Sequence, residues 1–347
     1  MNHQKILLPL DSKNALIPWL WIGTWSMAGQ GFGPHDEQES LRVLYDAAQY
    51  GITHFDTAGF YARGIAEQLI RKVIKNQRET FFISTKGGLV WNGKRVEHNA
   101  SPFALKKQLY ESLKRLNTDY MDLYQLHWPD PKVRIQDSIL TLKELQTQGL
   151  IRYWGVGNFT SEEVEQYMSE EKNIPHQVHL NPIHSNNNIL IAGKTCCINC
   201  IISPLEQGLL GTGSSSKGKI GISKRDIRNR NPYFSLQKVM LWNDSLQSYT
   251  AKSGLSKVSV VLMWICSQPH VHAIVPGPRR RKQLEEIYEF IRTVKCNDLA
   301  SDDTEDTVLS QIKVRAYISS EVWVHLCLFQ QFGQSYSNSS IVAVSDD

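Results

Sequence analysis

Short apolar runs alternate with longer amphipathic stretches along most of the chain. The short runs have the length of buried strands, and the amphipathic stretches have the spacing of helices that cover a sheet. About eight runs are present, at residues 54–56, 81–86, 122–127, 153–156, 177–180, 200–203 and 273–275, with an earlier one near 20–23. The alternation predicts parallel βα units, and eight strands are the number that a closed (β/α)8 TIM barrel requires. A doubly wound sheet would carry a glycine-rich phosphate-binding motif after its first strand, and none is present there.

Two of the predicted helices begin at capping signals. Ser101 precedes Pro102, a residue that suits the first turn of a helix. Thr160 with Glu163 has the spacing of a capping box. The helix after Ser101 then shows one apolar stripe, made of Leu105, Leu109, Leu113 and Leu116. Such a stripe is expected to face the barrel wall.

Composition narrows the class of protein. The chain has 347 residues, of which 41% are hydrophobic and 21% charged, as in a soluble enzyme. A net charge of +4 is too small for a general nucleic-acid binder, which would show a dense basic face. No apolar run approaches the length that spans a membrane, and the short hydrophobic stretch near the N-terminus is interrupted by Pro9. We therefore expect a cytoplasmic protein without nucleic-acid or membrane partners.

The cysteines raise the question of a metal site. Cys196, Cys197 and Cys200 lie close together, and His184 lies upstream. Structural zinc usually needs a second pair of ligands at a defined spacing, and that pair is missing. The three cysteines also run into the apolar residues of a predicted strand, where cysteine behaves as a small hydrophobic side chain. The sequence therefore predicts no metal, and the six cysteines are expected to be reduced thiols.

Four polar residues lie at or just after the ends of three predicted strands. Asp56 closes the run at 54–56, and Tyr61 lies in the turn that follows. Lys86 and His127 each close a later run. A free tyrosine titrates near pH 10, so we expect the Lys86 cation to lower the pKa of Tyr61 while Asp56 holds the ammonium in place. The set predicts a proton-transfer site in which Tyr61 is the acid.

These four residues stand in a series of motifs that occur in the order of one known family. The matching segments are Gly23 to Trp25, the stretches at 55–61, 85–86, 112–127 and 155–159, Gln177 with Val178, the stretch at 203–210, that at 276–279 and that at 283–286. The chain resembles the aldo-keto reductase family from about Ile17 to about Phe290. We therefore expect a barrel unit at residues 1–292 and a C-terminal extension of unknown role at 293–347.

The resemblance implies an NADP-dependent oxidoreductase that reduces an aldehyde or ketone, or runs the reverse oxidation. Tyr61 would donate the proton and His127 would orient the carbonyl, beside Asp56 and Lys86. Asn158 and Gln177 match positions that hold the nicotinamide carboxamide. The cofactor-binding positions implied by the resemblance are Gly23, Thr24, Trp25, Asp56, Asn158, Gln177, Ser203, Pro204, Leu205, Gln207, Gly208, Leu210, Gly277, Arg279, Gln283 and Glu286.

A basic cluster follows the last predicted strand. It runs from Arg279 to Lys282 and comes directly after a Pro-Gly-Pro turn. The loop after the eighth strand of a barrel is a common phosphate site, so Arg279 is expected to contact the 2'-phosphate of NADPH. Two other interpretations of the cluster are a solvated start of a helix and a nuclear or nucleic-acid signal.

Three positions depart from the family pattern. Gly157 stands where serine is common, Ile202 stands where an aromatic residue often stacks on the nicotinamide, and Ile287 stands where asparagine often contacts the adenine. None of these positions belongs to the proton-transfer set. The departures therefore bear on cofactor affinity more than on the chemistry.

Two segments remain to be assigned. The stretch at 213–220 nearly matches a phosphate-binding P-loop, but Ile220 occupies the position that needs serine or threonine for magnesium. We expect it to cover the cofactor pyrophosphate instead. The extension carries an acidic run and then an apolar segment near 322–332, which would form a substrate lid, an added surface helix or a protein contact. A protein contact would suit an alternative function, that of an NADPH-binding regulatory subunit with little turnover.

Overall fold

The computed structural model describes residues 7–9, 16–184, 187–194, 196–212, 224 and 226–293. The glycine-rich stretch at 213–220 and the extension beyond residue 293 lie outside these ranges. The expectations for both segments, and for the boundary between the barrel unit and the extension, therefore remain predictions.

The central feature is a sheet of eight parallel strands. The strands of the chain are β1 (Leu7–Pro9), β2 (Leu16–Pro18), β3 (Ile22–Gly23), β4 (His54–Asp56), β5 (Phe82–Gly87), β6 (Leu89–Asn92), β7 (Arg95–His98), β8 (Met121–Leu126), β9 (Ile151–Gly157), β10 (Ile174–His179), β11 (Cys197–Ile202) and β12 (Ala273–Val275). The order in the large sheet is β3, β4, β5, β8, β9, β10, β11, β12, while β1 with β2 and β6 with β7 form separate antiparallel pairs. A parallel bridge joins Leu20, just before β3, to Ile274 of β12, so the two edges of the sheet meet. This bridge closes the predicted TIM barrel.

Helices follow the barrel strands in the order that a (β/α)8 barrel requires. They are α1 (Glu37–Gln49), α2 (Ile65–Ile74), α3 (Pro102–Leu116), α4 (Ile135–Thr147), α5 (Ser161–Met168), α6 (Asn187–Ala192), α7 (Gln237–Ser253), α8 (Lys257–Cys266) and α9 (Arg281–Thr293). Short 3-10 turns lie at Trp25–Ala28, Tyr61–Gly64, Arg78–Thr80, Glu206–Gly208, Ile227–Arg230 and Pro232–Phe234. Contacts of α1 with α9 complete the outer ring of helices.

The predicted helix starts are confirmed. Ser101 caps α3 by accepting a hydrogen bond from the backbone of Ala104, with Pro102 in the first turn. Thr160 and Glu163 form a complete capping box at the start of α5. The four leucines of the α3 stripe are buried. The stripe therefore packs against the barrel, as its spacing predicts.

The strands begin or end a few residues away from several of the predicted limits. The predicted runs at 177–180 and 153–156 correspond to β10, which begins at Ile174, and to β9, which begins at Ile151. The predicted limits followed the apolar residues, whereas the strands also include Arg152, Pro175 and His176. Backbone pairing with neighbouring strands continues through these residues because it does not depend on their side-chain polarity.

The barrel interior is lined by alternate residues of its strands. Trp21, Leu123, Ile198, Cys200, Ala273 and Val275 form one buried cluster, separate from the larger core between strands and helices. Alternation along each strand sends one set of side chains inward and the other toward the helices. Buried polar residues also belong to the interior: His54, at the start of β4, stacks on Trp21 at 3.8 Å, and Asp56, Ser84 and Lys86 lie toward the carboxyl ends of β4 and β5.

The cysteine cluster lies within the core. Cys196, Cys197 and Cys200 are free, buried thiols, and the ring of His184 stacks on that of His179 at 4.1 Å. Among the described residues, no group of three or more His, Cys, Asp or Glu side chains has the arrangement of a metal site. Within the same residues, the structure contains no helix with the length and apolarity needed to cross a membrane.

Candidate active site

The predicted proton-transfer residues come together at the carboxyl end of the barrel. Asp56 is the last residue of β4, and Lys86 lies one residue before the end of β5. His127 directly follows β8, and Tyr61 opens the 3-10 turn after β4. All four side chains are buried. Neighbouring parallel strands end at the same edge of the barrel, which explains how residues far apart in the chain meet there.

Lys86 is the centre of the group. Its Nζ donates hydrogen bonds to Asp56 Oδ2 at 2.7 Å and to the backbone carbonyl of Thr57 at 2.8 Å. The third contact of Nζ is with the Tyr61 hydroxyl at 3.4 Å. Two strong acceptors thus hold the ammonium, and its third N–H group is directed toward the phenol.

Asp56 is held by Gln177, which the sequence analysis named as a carboxamide position, and by Ser84, which it did not name. Its Oδ1 accepts hydrogen bonds from Ser84 Oγ at 3.0 Å and from Gln177 Nε2 at 2.7 Å. Ser84 in turn lies 3.1 Å from His54 Nε2. Ser84 is two residues before Lys86 in β5, so the period of a strand places both side chains on the same face. That spacing is the signal that would have found Ser84.

The charges of the ion pair are mutually stabilised. Burial alone would lower the pKa of Lys86, but the nearby Asp56 carboxylate and Tyr61 outweigh it and raise that pKa above its ordinary value. Lys86 is therefore a cation at neutral pH. A buried ammonium of this kind persists because its partner is within hydrogen-bond distance.

The expected lowering of the Tyr61 pKa is wrong for this structure. Burial raises the pKa of Tyr61, and the attraction of the Lys86 cation offsets only part of that rise. The prediction considered the charge on the lysine and not the burial of the phenol, which disfavours the tyrosinate. Tyr61 is consequently protonated at neutral pH, the form that donates a proton.

His127 is neutral. Burial first, and the Lys86 cation second, hold the pKa of His127 well below 6.5. Its ring lies 5.8 Å from the ring of Tyr61, centroid to centroid, and its Nδ1 atom has no hydrogen-bond partner among the described residues. The backbone N–H of His127 donates to Gly87 at 2.8 Å, which fixes the residue beside β5. A neutral imidazole can still donate one hydrogen bond.

Aromatic side chains surround the phenol. The Trp25 ring lies 6.1 Å from the Tyr61 ring, and Phe60 stacks on Trp91 at 4.9 Å. Trp91 belongs to β6, in the hairpin that follows β5, and its Nε1 donates to the carbonyl of Phe60 at 3.0 Å. These rings form an apolar wall next to the polar group, which is typical of a small-molecule site.

The two predicted carboxamide residues each donate a hydrogen bond to a member of this group. Asn158 follows β9 with a φ of 61°, and its Nδ2 donates to the carbonyl of His127 at 2.9 Å. Gln177 lies near the end of β10 and donates to Asp56, as described above. Both amide nitrogens are therefore used in holding the site together, and their contact with a carboxamide remains a prediction.

The first predicted cofactor segment packs against the loop after the last strand. Gly23 donates its backbone N–H to the carbonyl of Pro276 at 2.9 Å, and Thr24 Oγ1 donates to the carbonyl of Asp56 at 3.0 Å. Trp25 is half-buried, with an Nε1 atom that has no hydrogen-bond partner among the described residues. A Cβ added at Gly277 would lie 3.3 Å from the carbonyl of Gly23, so the two loops touch.

A second predicted cofactor segment is the loop after β11. Ser203 and Gln207 have positive φ angles of 50° and 53°, and Gly208 has one of 93°. Ser203, Leu205 and Gln207 are half-buried, Pro204 and Leu210 are buried, and Gly208 is exposed.

Glu206, which the sequence analysis missed, anchors this loop. Its buried carboxylate accepts hydrogen bonds from Asn181 and Asn231, each at 2.6 Å, and pairs with His179 Nε2 at 2.9 Å. Burial opposes the charge, but these partners prevail and lower the pKa of Glu206 to about 2. Nothing in the local sequence distinguishes it from a surface glutamate.

Arg279 has partners that were not anticipated. Its guanidinium donates to the backbone carbonyls of Phe32 and Pro34, in the loop after β3. Gln283 accepts hydrogen bonds from the backbone N–H groups of Arg279 and Arg280, which caps α9.

Glu286, another predicted cofactor position, lies one turn further along α9. Burial raises the pKa of Glu286, a half-buried residue whose side chain forms a hydrogen bond with Thr212. The structure thus brings Arg279, Gln283 and Glu286 to the carboxyl face of the barrel.

Comparison with known proteins agrees with this geometry. The model of the aldo/keto reductase family matches residues 20–299. Aldo-keto reductase YhdN of Bacillus subtilis is 31% identical over 278 residues, which cover 78% of this chain and 83% of that protein. The NADH-specific methylglyoxal reductase of Escherichia coli is 26% identical over 298 residues, covering 80% and 91%.

Solved structures show the same fold. The glycerol dehydrogenase AKR11B4 of Gluconobacter oxydans superposes with a TM-score of 0.73 at 23% identity, covering 99% of this chain and 100% of that one. An aldo/keto reductase of Klebsiella pneumoniae in complex with NADP and acetate gives 0.61 at 21% identity, covering 83% and 90%. As the resemblance of its motifs predicts, the chain belongs to the aldo/keto reductase family.

Proposed function

We propose that the protein reduces an aldehyde or ketone to an alcohol with NADPH, or catalyses the reverse oxidation. The observation that carries the proposal is the position of the Tyr61 hydroxyl, 3.4 Å from a buried ammonium that Asp56 holds. A neutral phenol next to a fixed cation can release a proton at the moment when negative charge develops on a nearby oxygen.

Each residue of the site has one task. Tyr61 donates its proton to the oxygen of the carbonyl as that oxygen becomes an alkoxide. Lys86 stabilises the tyrosinate that remains, and Asp56 keeps Lys86 charged and in place. His127, neutral and buried, donates a hydrogen bond that orients the carbonyl oxygen. The aromatic wall of Trp25, Phe60 and Trp91 excludes water from the reacting groups.

The residues at the carboxyl face fit a dinucleotide. The Klebsiella relative holds NADP on the same fold, and bound NADPH would supply the hydride. Asn158 and Gln177 would hold the carboxamide, and the loop at 203–210 would hold the remainder of the dinucleotide. Arg280 is exposed and forms no ion pair among the described residues, so the start of α9 has a guanidinium available for a phosphate beside Arg279.

The test is a panel of aldehydes and ketones assayed by NADPH absorbance, with Tyr61→Phe as the matched variant. We expect turnover of at least one carbonyl by the native protein. The variant should lose that turnover, because it has no phenolic proton to donate. It should bind NADPH nearly as well, because the substitution removes little contact area. Full activity in Tyr61→Phe would remove the phenol from the mechanism. Tight NADPH binding with no turnover of any carbonyl would favour the regulatory-subunit alternative.

A further inference from the structure

The turn that presents Tyr61 has an unusual backbone. Ala62, Arg63 and Gly64 have φ angles of 45°, 55° and 92°, so three consecutive residues lie in the left-handed region. Residues other than glycine rarely adopt this conformation, and it persists only where the surroundings hold it. The phenol at the centre of the site is therefore carried by a segment that needs support from its neighbours.

Arg115 of α3 supplies this support from below. A Cβ added at Gly59 would lie 2.6 Å from Arg115 Nη2, and one added at Gly64 would overlap Arg115 Cδ. The glycines on both sides of Tyr61 thus rest directly on the arginine side chain. Ser112 Oγ accepts a hydrogen bond from Nη2 at 3.2 Å, which fixes the far end of the guanidinium.

Glu67 of α2 joins this support to the strand that carries Lys86. Its side chain is fully buried, and its Oε2 accepts a hydrogen bond from Arg115 Nε at 2.5 Å. Its Oε1 accepts a hydrogen bond from Thr85 Oγ1 at 2.7 Å, and Thr85 directly precedes Lys86 in β5. One buried carboxylate therefore contacts both the support of the Tyr61 turn and the neighbour of Lys86.

We propose that Glu67 and Arg115 are positioning residues that set the distance between the Tyr61 hydroxyl and Lys86 Nζ. Neither side chain forms a hydrogen bond or ion pair with Asp56, Tyr61 or Lys86, and the role rests on the carbonyl reduction proposed above. An error of about 1 Å in the placement of a catalytic group can cost about 100-fold in rate. Loss of the Glu67–Arg115 contact therefore lowers kcat, while the residues proposed to hold NADPH keep their places.

Three variants separate the parts of this support. Glu67→Gln keeps the shape of the side chain and removes its charge, Arg115→Ala removes the side chain beneath the turn, and Arg115→Lys keeps an apolar stem under Gly64. With methylglyoxal and NADPH, kcat should fall about 10- to 100-fold in the first two variants. Arg115→Lys should recover most of that loss. The dissociation constant for NADPH, measured by fluorescence titration, should stay near the native value in all three.

The chain offers a matched control at the other end of the barrel. Arg78 Nη2 lies 2.7 Å from Asp122 Oδ2, in a pair that also joins an arginine to a buried carboxylate. Asp122→Asn and Arg78→Ala should lower the thermal stability and leave kcat close to native. A fall in kcat equal to that of Glu67→Gln in these controls would mean that general destabilisation, and not positioning, lowers turnover.

Trypsin gives a readout that does not depend on turnover. Arg63 is exposed within the left-handed turn, so loss of support should speed cleavage after Arg63 in Glu67→Gln and Arg115→Ala but not in the controls. Native kcat and native cleavage in folded Glu67→Gln would overturn the proposal. If Glu67→Gln does not fold, native kcat and native cleavage in folded Arg115→Ala would overturn the proposal, and Arg115→Lys is then its conservative control. If the native protein reduces no carbonyl, the proposed function fails while the cleavage assay still tests the support.

Discussion

Two buried ion pairs lie at opposite ends of the barrel and differ in how completely they are satisfied. At the amino ends of the strands, Asp122 accepts hydrogen bonds from the backbone N–H of Ile83, from Arg78 and from Arg152. Arg78 also donates to the backbone carbonyls of Phe81 and Tyr120. Every partner in this pair is part of the scaffold.

At the carboxyl ends, the Asp56–Lys86 pair has one contact that is longer than the others. Lys86 reaches the Tyr61 hydroxyl at 3.4 Å, and the nearby Nδ1 of His127 has no hydrogen-bond partner among the described residues. A pair with all its bonds made contributes to stability alone, whereas a pair that leaves a phenol and an imidazole near it can act on a reacting molecule. The difference predicts that changes at the two ends have different effects.

The largest effect is expected at Lys86. Lys86→Met removes the cation that stabilises the tyrosinate, so kcat for carbonyl reduction should fall by about 1000-fold, within the range of general acid–base catalysis. Steady-state kinetics measures the fall in kcat, and an NADPH titration checks that the variant is folded. If turnover and its pH dependence stay native, Lys86 has a structural role like that of Arg78.

The reverse result is expected at the amino end. Asp122→Asn leaves Arg78 and Arg152 without their carboxylate, which should lower the free energy of unfolding by about 3 kcal/mol, as in other broken buried pairs. Urea denaturation measures the loss, and kcat should stay within about twofold of native because no reacting group contacts this pair. A large loss of turnover without loss of stability would contradict the division between the two ends.

The pH dependence of the free energy of unfolding should show that His127 is buried in its neutral form. Its folded pKa lies well below 6.5, so as pH falls below about 6.5 the unfolded chain binds a proton that the folded chain does not. Stability is therefore lost on the acid side of that value. Below pH 6.5, His127→Asn should lose less stability than the native protein in urea denaturation, by at most about 1.4 kcal/mol for each pH unit. Equal losses in both proteins would mean that His127 titrates normally in the fold.

The smallest effect concerns cofactor choice. If Arg279 contacts the 2'-phosphate, Arg279→Ala should raise the dissociation constant for NADPH about tenfold, or about 1.4 kcal/mol, and leave that for NADH unchanged. The same two titrations with Arg280→Ala test the exposed guanidinium at the next position. Equal weakening of both cofactors by Arg279→Ala would show that its bonds to Phe32 and Pro34 support the loop and do not read the phosphate.

The sequence allowed prediction of the barrel and of the four residues at its carboxyl end, because strand ends, polar residues and family motifs coincide there. The hydrogen bonds of Asp56 to Ser84 and Gln177 were not predicted. The anchoring of the loop after β11 by Glu206 was not predicted either. These contacts join residues that are far apart in the chain, and no local pattern records them. The rise in the Tyr61 pKa was missed for the same reason, since burial of the phenol depends on rings contributed by several loops.

The most direct test of Tyr61 as the acid is the pH dependence of kcat for carbonyl reduction by the native protein. Reduction needs the acid in its protonated form, so rate is lost as pH rises through the pKa of that acid. Burial places the pKa of Tyr61 above its ordinary value near 10, whereas that of His127 lies well below 6.5. Tyr61 as the acid therefore predicts a constant kcat from about pH 7 to 9. A kcat that falls steadily across that range, as expected for an imidazolium acid, would contradict it.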